Sequence, residues 1–202
     1  MLLARRKVLI GLGLMSFLPR SAAAAIELIE AGRVLSVLGT STGQSGGKQR
    51  ALGDGDRVFL DELIRTGAAA RLSLRLGQAT RLSLGERTRL RIDRYLVNRG
   101  GEMVLERGAI LFDRPDNPGS GPMNVATPFA LIAARGTKFF AGPSQGVFGV
   151  FVEHGLVTVR NRAGSVTLTN GLGTNLRSMR VRPTPPKPWG LARISAAEAS
   201  VT

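Results

Sequence analysis

Arg71-Leu72-Ser73-Leu74-Arg75-Leu76-Gly77 places a leucine at every second position. Arg81-Leu82-Ser83-Leu84-Gly85 does the same, and Arg89-Leu90-Arg91-Ile92-Asp93 does so a third time. A period of two sends the apolar side chains to one face and Arg and Ser to the other, as in a strand with one buried and one wet face. A helix would scatter Leu72, Leu74 and Leu76 around its circumference. Short strands recurring this closely predict stacked layers, each burying its leucines on a neighbour. Arg71, Arg75, Arg81, Arg89 and Arg91 lie opposite the leucines and, with strands in register, would form a basic ladder. Such a ladder is either a solvated face that discourages aggregation or a site for an anionic polymer or acidic protein.

Outward from this stretch the pattern continues as short strands separated by Gly, Asn or Asp turns. Gly32 to Gly39 reads as a first strand, and Thr40 to Lys48 as a polar Gly/Ser-rich loop. Val58 to Leu60, Leu63 to Thr66, Glu102 to Leu105 and Ala109 to Asp113 follow, then a Pro/Gly loop from Pro115 to Pro122. Phe129 to Ala134 and Lys138 to Ala141 flank a turn at Gly136. Val147 to Val152, Leu156 to Asn161 and Ser165 to Thr169 come next, with turns at His154-Gly155, Ala163-Gly164 and Asn170-Gly171. Gly108, Gly136 and Gly155 are read as supplying backbone angles that a side chain forbids. Thr127, before Pro128, and Thr137 are read as satisfying turn backbone groups. The reading is an all-β chain of stacked short strands, solenoid-like or sandwich-like, with an extended Pro-rich C-terminal tail.

That tail begins after about residue 175. Arg182-Pro183-Thr184-Pro185-Pro186-Lys187-Pro188-Trp189 cannot donate a continuous ladder and is expected to be extended. Ile194 to Val201 is expected to form a short helix capped by Ser195. The tail reads as a linker or a cover over an open sheet edge, or as a docking segment anchored by Trp189.

The chain has 202 residues, 26 of them Gly, and no Cys. This excludes disulfides, thiol catalysis, Cys-ligated metal sites and a lipid-anchoring cysteine. Arg5, Arg6 and Lys7 head an apolar run from Val8 to Leu18, followed by small residues from Ser21 to Ala25. These are the three parts of a secretory signal, with cleavage expected after Ala24 or Ala25. The apolar run falls short of the roughly 20 residues that span a bilayer. Arg5-Arg6-Lys7-Val8-Leu9 also resembles a twin-arginine motif, although Ala4 and Val8 depart from its usual residues; both export routes stay open. Domains are accordingly expected at 1–25 (signal), 26–175 (β domain) and 176–202 (tail and helix). Removing the signal leaves 24 basic residues against 14 acidic ones. Such a chain is attracted to anionic partners in the envelope. Export argues against nucleic acid, the default partner of a cytosolic chain so charged.

No set of residues points to catalysis. Asp54 and Asp56 lack the spacing and terminal Glu of a calcium loop. His154, the only histidine, has no nucleophile motif around it. Glu106 and Glu153 occupy matching positions in two segments that echo each other, which reads as structural duplication rather than as paired acid and base. No cofactor is expected.

Several pieces in order resemble the FecR-like domain family. They are Val125-Ala126-Thr127-Pro128, Gly136-Thr137-Lys138-Phe139, and Val152-Glu153-His154-Gly155-Leu156-Val157-Thr158-Val159. Upstream, Leu52 to Val58 and Ile64-Arg65-Thr66-Gly67 match the family's opening, and Leu105 to Ala109 its middle. The resemblance covers about Gly32 to Gly171. It implies an all-β periplasmic domain. The best-known members are membrane-spanning anti-sigma regulators that relay iron–siderophore signals. Here the resemblance implies the periplasmic domain without the cytoplasmic anti-sigma segment, as a non-enzymatic module that binds a protein or the envelope. A cell-wall-binding structural protein is the alternative, and an envelope hydrolase a more distant one.

Overall fold

The computed structural model describes residues 28–96, 100–116 and 121–202. The expected signal sequence and part of the expected Pro115–Pro122 loop lie outside them. The alternating leucines behave as their period requires: Leu72, Leu74, Leu76, Leu82, Leu84, Leu90 and Ile92 are all buried, and Arg75, Arg81, Arg89 and Arg91 between them are exposed.

The strands before residue 97 are β1 (Glu30–Leu38), β2 (Ser41–Ser45), β3 (Lys48–Ala51), β4 (Arg57–Phe59), β5 (Leu63–Thr66), β6 (Arg71–Leu76), β7 (Thr80–Leu84) and β8 (Arg89–Leu96). They are followed by β9 (Gly100–Arg107), β10 (Ile110–Asp113), β11 (Met123–Ala126), β12 (Leu131–Ser144) and β13 (Val147–Asn161). The chain ends with β14 (Gly164–Leu168), β15 (Leu172–Leu176), β16 (Lys187–Pro188) and the helix α1 (Leu191–Ala199).

All sixteen strands belong to one curled sheet, half-barrel in form, with two limbs. One limb runs β3-β2-β5-β8-β9-β11, the other β10-β7-β6-β1-β4. The long strands β12 and β13 belong to both. Leu131 to Arg135 pair with Leu156 to Arg160 in the first limb, and Lys138 to Ser144 with Val147 to His154 in the second. The inner faces share one apolar core: Ile64, Leu90, Met103 and Val159 from the first limb meet Leu74, Leu82, Phe112 and Phe139 from the second. Two facing layers around one core are how a sheet with one apolar face buries it.

The crease between the limbs corrects the expected turns. Gly136 and His154-Gly155 do not reverse the chain. They bend it within β12 and β13, where the register shifts between Arg135 and Phe139 while the ladder carries on. A bulge bends a strand without ending it. Gly155 (φ +91°) and Gly136 (φ +55°) face each other there, whereas Gly108 (φ +93°) stands at the opposite end of the limbs, where the chain passes from β9 in one to β10 in the other. The backbone at that opposite end is satisfied by two threonines that sequence reading passed over. The Thr66 hydroxyl donates to Gly85 O (2.6 Å) and accepts from Thr88 N (2.9 Å). The Thr88 hydroxyl accepts from Ala109 N (3.1 Å). The Thr137 hydroxyl, expected in that role, is buried and makes no hydrogen bond.

The expected loop from Thr40 to Lys48 also differs. Ser41–Ser45 is a strand, closed against β3 by Gly46 and Gly47, both with positive φ. Two such residues make the tight turn that matches strand twist. Nearby, the buried Glu62 carboxylate accepts from Phe59 N (2.9 Å) and lies 3.0 Å from the Arg50 guanidinium, tying β3 to the turn after β4.

The tail returns over the outer face of the second limb. Thr184 N donates to Asn175 O, and the Thr184 hydroxyl accepts from Asn175 N (2.9 Å), fastening the Pro-rich stretch to β15. The helix begins after Gly190, so Ser195 lies inside it rather than capping it. Ala196, Ala197 and Ala199 favour the helix, and Ile194, Ala197 and Val201 face a second apolar cluster with Ala109, Phe140 and Phe151. Among the described residues no helix is long and apolar enough to cross a membrane.

Candidate partner-binding surfaces

The five expected arginines do not form one ladder. Arg75 and Arg81 are cross-strand neighbours on the second limb, whereas Arg89 and Arg91 stand on β8 in the first. The chain passes from the second limb to the first between β7 and β8, so regular spacing in sequence does not become adjacency in space. Glu106 engages both Arg89 (3.2 Å) and Arg91 (3.8 Å). Arg71 is turned to the tail: its guanidinium donates to Ala199 O (3.3 Å) at the C-terminal end of α1, where the helix dipole favours a cation.

The actual row on the second limb includes two arginines that sequence reading missed. In register across the sheet stand Arg57, Arg33, Arg75 and Arg81, then Asp113, Lys138 and His154. Arg33 sits in the alternation of β1 and Arg57 just before Val58. Each is legible as outward-facing, but only the order of strands places them together. Glu30 pairs with Arg33 (3.1 Å) and Arg57 (3.3 Å). At the far end Glu153 lies 2.7 Å from Lys138, and its hydrogen bond holds the ammonium above the usual lysine range. His154 Nδ1 accepts from Lys138 N (3.1 Å) and is thereby part of the crease rather than of a catalytic set.

Trp189 is not an exposed anchor. It is buried against its own sheet, stacked on Phe151 (5.2 Å between centroids) and edge-on to Phe140 (6.4 Å). Gly149 and Gly173 make room for its ring: a Cβ at either would run into the indole. The Arg193 guanidinium lies 3.5 Å above the ring and donates to Ser144 (3.0 Å) and Asn175 (2.8 Å). Burial lowers its pKa from the ordinary arginine value. Sequence reading could not place Trp189 because its receptor is two glycines on different strands.

Asp54 and Asp56 cap backbone rather than gather a cation. Asp54 accepts from Val37 N (2.8 Å) and Asp56 from Gly53 N (2.7 Å). Thr127 does what its position before Pro128 implies: its hydroxyl accepts from Phe129 N and Ala130 N and donates to Ala130 O (2.8 Å). That turn holds Phe129 against Phe148, with 4.8 Å between centroids. The pair forms part of the lining of a cleft of about 830 Å³ between the Thr127–Ala130 turn and the β12–β13 hairpin, with Val147 and Leu176 also lining it and Glu106, Arg107 and Arg177 contributing charge. The cleft's one carboxylate, Glu106, is already engaged by two arginines.

Residues 62–158 match the FecR protein family. Within that stretch the chain is FecR-like. Its matched region starts within the β4–β5 turn and ends within β13, so it contains the crease and the cleft's Phe129 and Phe148. Arg33, Arg57 and the Trp189 tail lie outside it. Two crystal structures of a candidate anti-sigma factor from Parabacteroides distasonis ATCC 8503 share the fold. Each has a TM-score of 0.57 and 17% identity over 66% of this chain, covering 63% and 62% of theirs. The chain thus spans less than two thirds of the length of those structures. No curated protein matches it.

Proposed function

We propose that this protein is an exported, non-enzymatic signalling module whose FecR domain binds a protein partner in the periplasm or cell envelope. The observation that carries the reading is the cleft at the open end of the two limbs. It is apolar at Phe129, Val147, Phe148 and Leu176, and charged at Arg107 and Arg177. An apolar centre within a polar rim is the make-up of a protein interface. The FecR match and a fold shared with candidate anti-sigma factors support a regulatory role. Among the cleft's described residues there is one carboxylate and no histidine, which favours binding over hydrolysis. Export rests on the basic head, short apolar run and Ala-rich segment at residues 5–25. The mature chain accordingly begins at about residue 25 or 26, with the tail from 176 as an integral cover of the domain.

A photo-crosslinking residue at Gly146, on the cleft rim, is expected to give one dominant protein adduct in the envelope fraction. Val147→Asp, which places a charge in the apolar floor, should abolish it. An adduct pattern unchanged by Val147→Asp would refute the cleft as the binding site. N-terminal sequencing of the recovered protein is expected to begin after Ala24 or Ala25; a chain starting at Met1 or Leu2 would refute the cleaved signal.

A further inference from the structure

β13 is lined on one side by two strands in turn, β14 along its C-terminal half and β15 along its N-terminal half. The tail closes the outer edge of β15: β16 pairs with Leu172 and Gly173, and Thr184 bonds to the N–H and C=O of Asn175. Nothing among the described residues closes the outer edge of β14. The β13–β14 hairpin closes on Asn161 and Gly164, with Arg162 and Ala163 between them. Residues so close to the turn face each other only as a hydrogen-bonded pair. Alternation along an antiparallel ladder then turns the N–H and C=O of Ser165 and Thr167 outward. Both residues are exposed. Three other strands have a single neighbour, β3, β4 and β16, and each is blunted as edge strands commonly are. β3 carries Lys48 and Arg50, β4 is three residues long and begins with Arg57, and β16 holds Pro188. β14, Gly164-Ser165-Val166-Thr167-Leu168, has neither charge nor proline. Such an edge is a template for another strand.

We propose that β14 pairs with the β14 of a second copy of this chain, antiparallel about a two-fold axis at Val166. Charge selects that occupant over an acidic partner. The chain's formal net charge is +14, which repels its own copies and draws acidic proteins. The stretch from Ala163 to Gly171 carries no charge, so self-repulsion is least there and an acidic strand finds no cation to pair with. Arg160, Arg162 and Arg182 gather at the Gly164 end. Antiparallel order sets them against the uncharged Leu168–Asn170 end of the other copy, whereas parallel order would set them against one another. Register favours the same arrangement. With Val166 opposite the second copy's Val166, Ser165 stands opposite the second copy's Thr167, and every outward N–H and C=O of the two residues finds a partner. On the outer face the Ser and Thr hydroxyls then meet, a favourable cross-strand pair. On the inner face Val166, half-buried at the margin of the core, meets its own copy, and the two cores join. One patch serves both chains, as a two-fold contact requires. A strand of five residues buries less than a standard interface, so the association is weak and concentration-dependent.

The test is sedimentation equilibrium of the whole protein, with amide hydrogen exchange followed by NMR. The mean mass should climb from one chain toward two between about 1 µM and about 1 mM, and exchange at Ser165 and Thr167 should slow over the same range. Val166→Lys sets like charges directly opposite each other across the axis and should weaken dimerisation about tenfold or more. Val166→Glu should do the same. Mixing the two variants should restore a dimer with one chain of each, which a two-fold axis at residue 166 requires and which misfolded chains could not form. Thr167→Pro removes an outward N–H and leaves the ladder to β13 intact, so it should abolish the dimer while the far-UV circular dichroism stays unchanged. A protein that is monomeric at about 1 mM would overturn the proposal and leave a strand of a different protein as the occupant of this edge. A dimer that survives Thr167→Pro would also overturn it, as would Val166→Lys and Val166→Glu chains that fold but do not associate on mixing. None of these results bears on the cleft, which is read by the crosslinking experiment.

Discussion

Trp189→Ala is expected to lower the stability of the domain by about 3–5 kcal/mol, the usual cost of deleting a buried aromatic side chain. The effect reaches beyond one ring. Trp189 fills the space left by Gly149 and Gly173, stacks on Phe151 and carries the Arg193 guanidinium that reaches Ser144 and Asn175. Without it, Ile194, Ala197 and Val201 are the apolar side chains that α1 and its following turn keep on the sheet, too little for nine residues that are marginal as an isolated helix. Phe140 and Phe151 are then uncovered. The measurement is urea unfolding together with limited proteolysis: the midpoint should fall, and cleavage between residues 176 and 202 should become rapid. A tail that resists protease as well as the parent's would show that Thr184 and β16 suffice to hold it.

Gly155→Ala should be comparably damaging, by about 2–5 kcal/mol, from a methyl group. The backbone there has φ +91°, which L side chains rarely adopt, and the added Cβ would press on Gly136 O and the Thr137 backbone. Positive-φ strain amounts to about 1–2 kcal/mol, and forced overpacking to about 1–3 kcal/mol more. The nearest blocking atom, Gly136 O, is backbone in the opposing strand and cannot swing away, and the Thr137 methyl beside it belongs to a fully buried side chain. Loss of the thermal transition, or a large drop in its midpoint, is the expected outcome. An unchanged midpoint would mean that the crease tolerates a different bend. Gly146→Ala offers the contrast: its φ is also positive, at +76°, but nothing lies within 4 Å of the added Cβ, so strain alone remains.

The strands and their buried faces were legible because period two acts locally: Leu72, Leu74 and Leu76 declare their side without reference to any partner. The crease was not. Gly136 and Gly155 look the same in sequence whether they reverse a strand or bend it, and the choice is made by pairing between β12 and β13. The same limit explains the arginines. Arg75 and Arg81 are joined by a hairpin and stand opposite each other. Arg89 follows a few residues later, but the chain passes to the other limb between them. Arg33 and Arg57 reach Arg75 only through the order β6-β1-β4, which involves strand partners distant in sequence. Trp189 shows a third case, in which an exposed-looking anchor in a Pro-rich tail is consumed by the protein's own surface.

Because β12 and β13 run unbroken through the crease, the molecule contains no seam along which it could come apart by halves. A load applied to either limb is carried into the other along two continuous covalent ribbons. Fraying that starts at the rim must stop at these ribbons or dismantle everything. Heat or denaturant should therefore see one all-or-none body, and a fragment cut at the crease would be a sheet with its oily side bare.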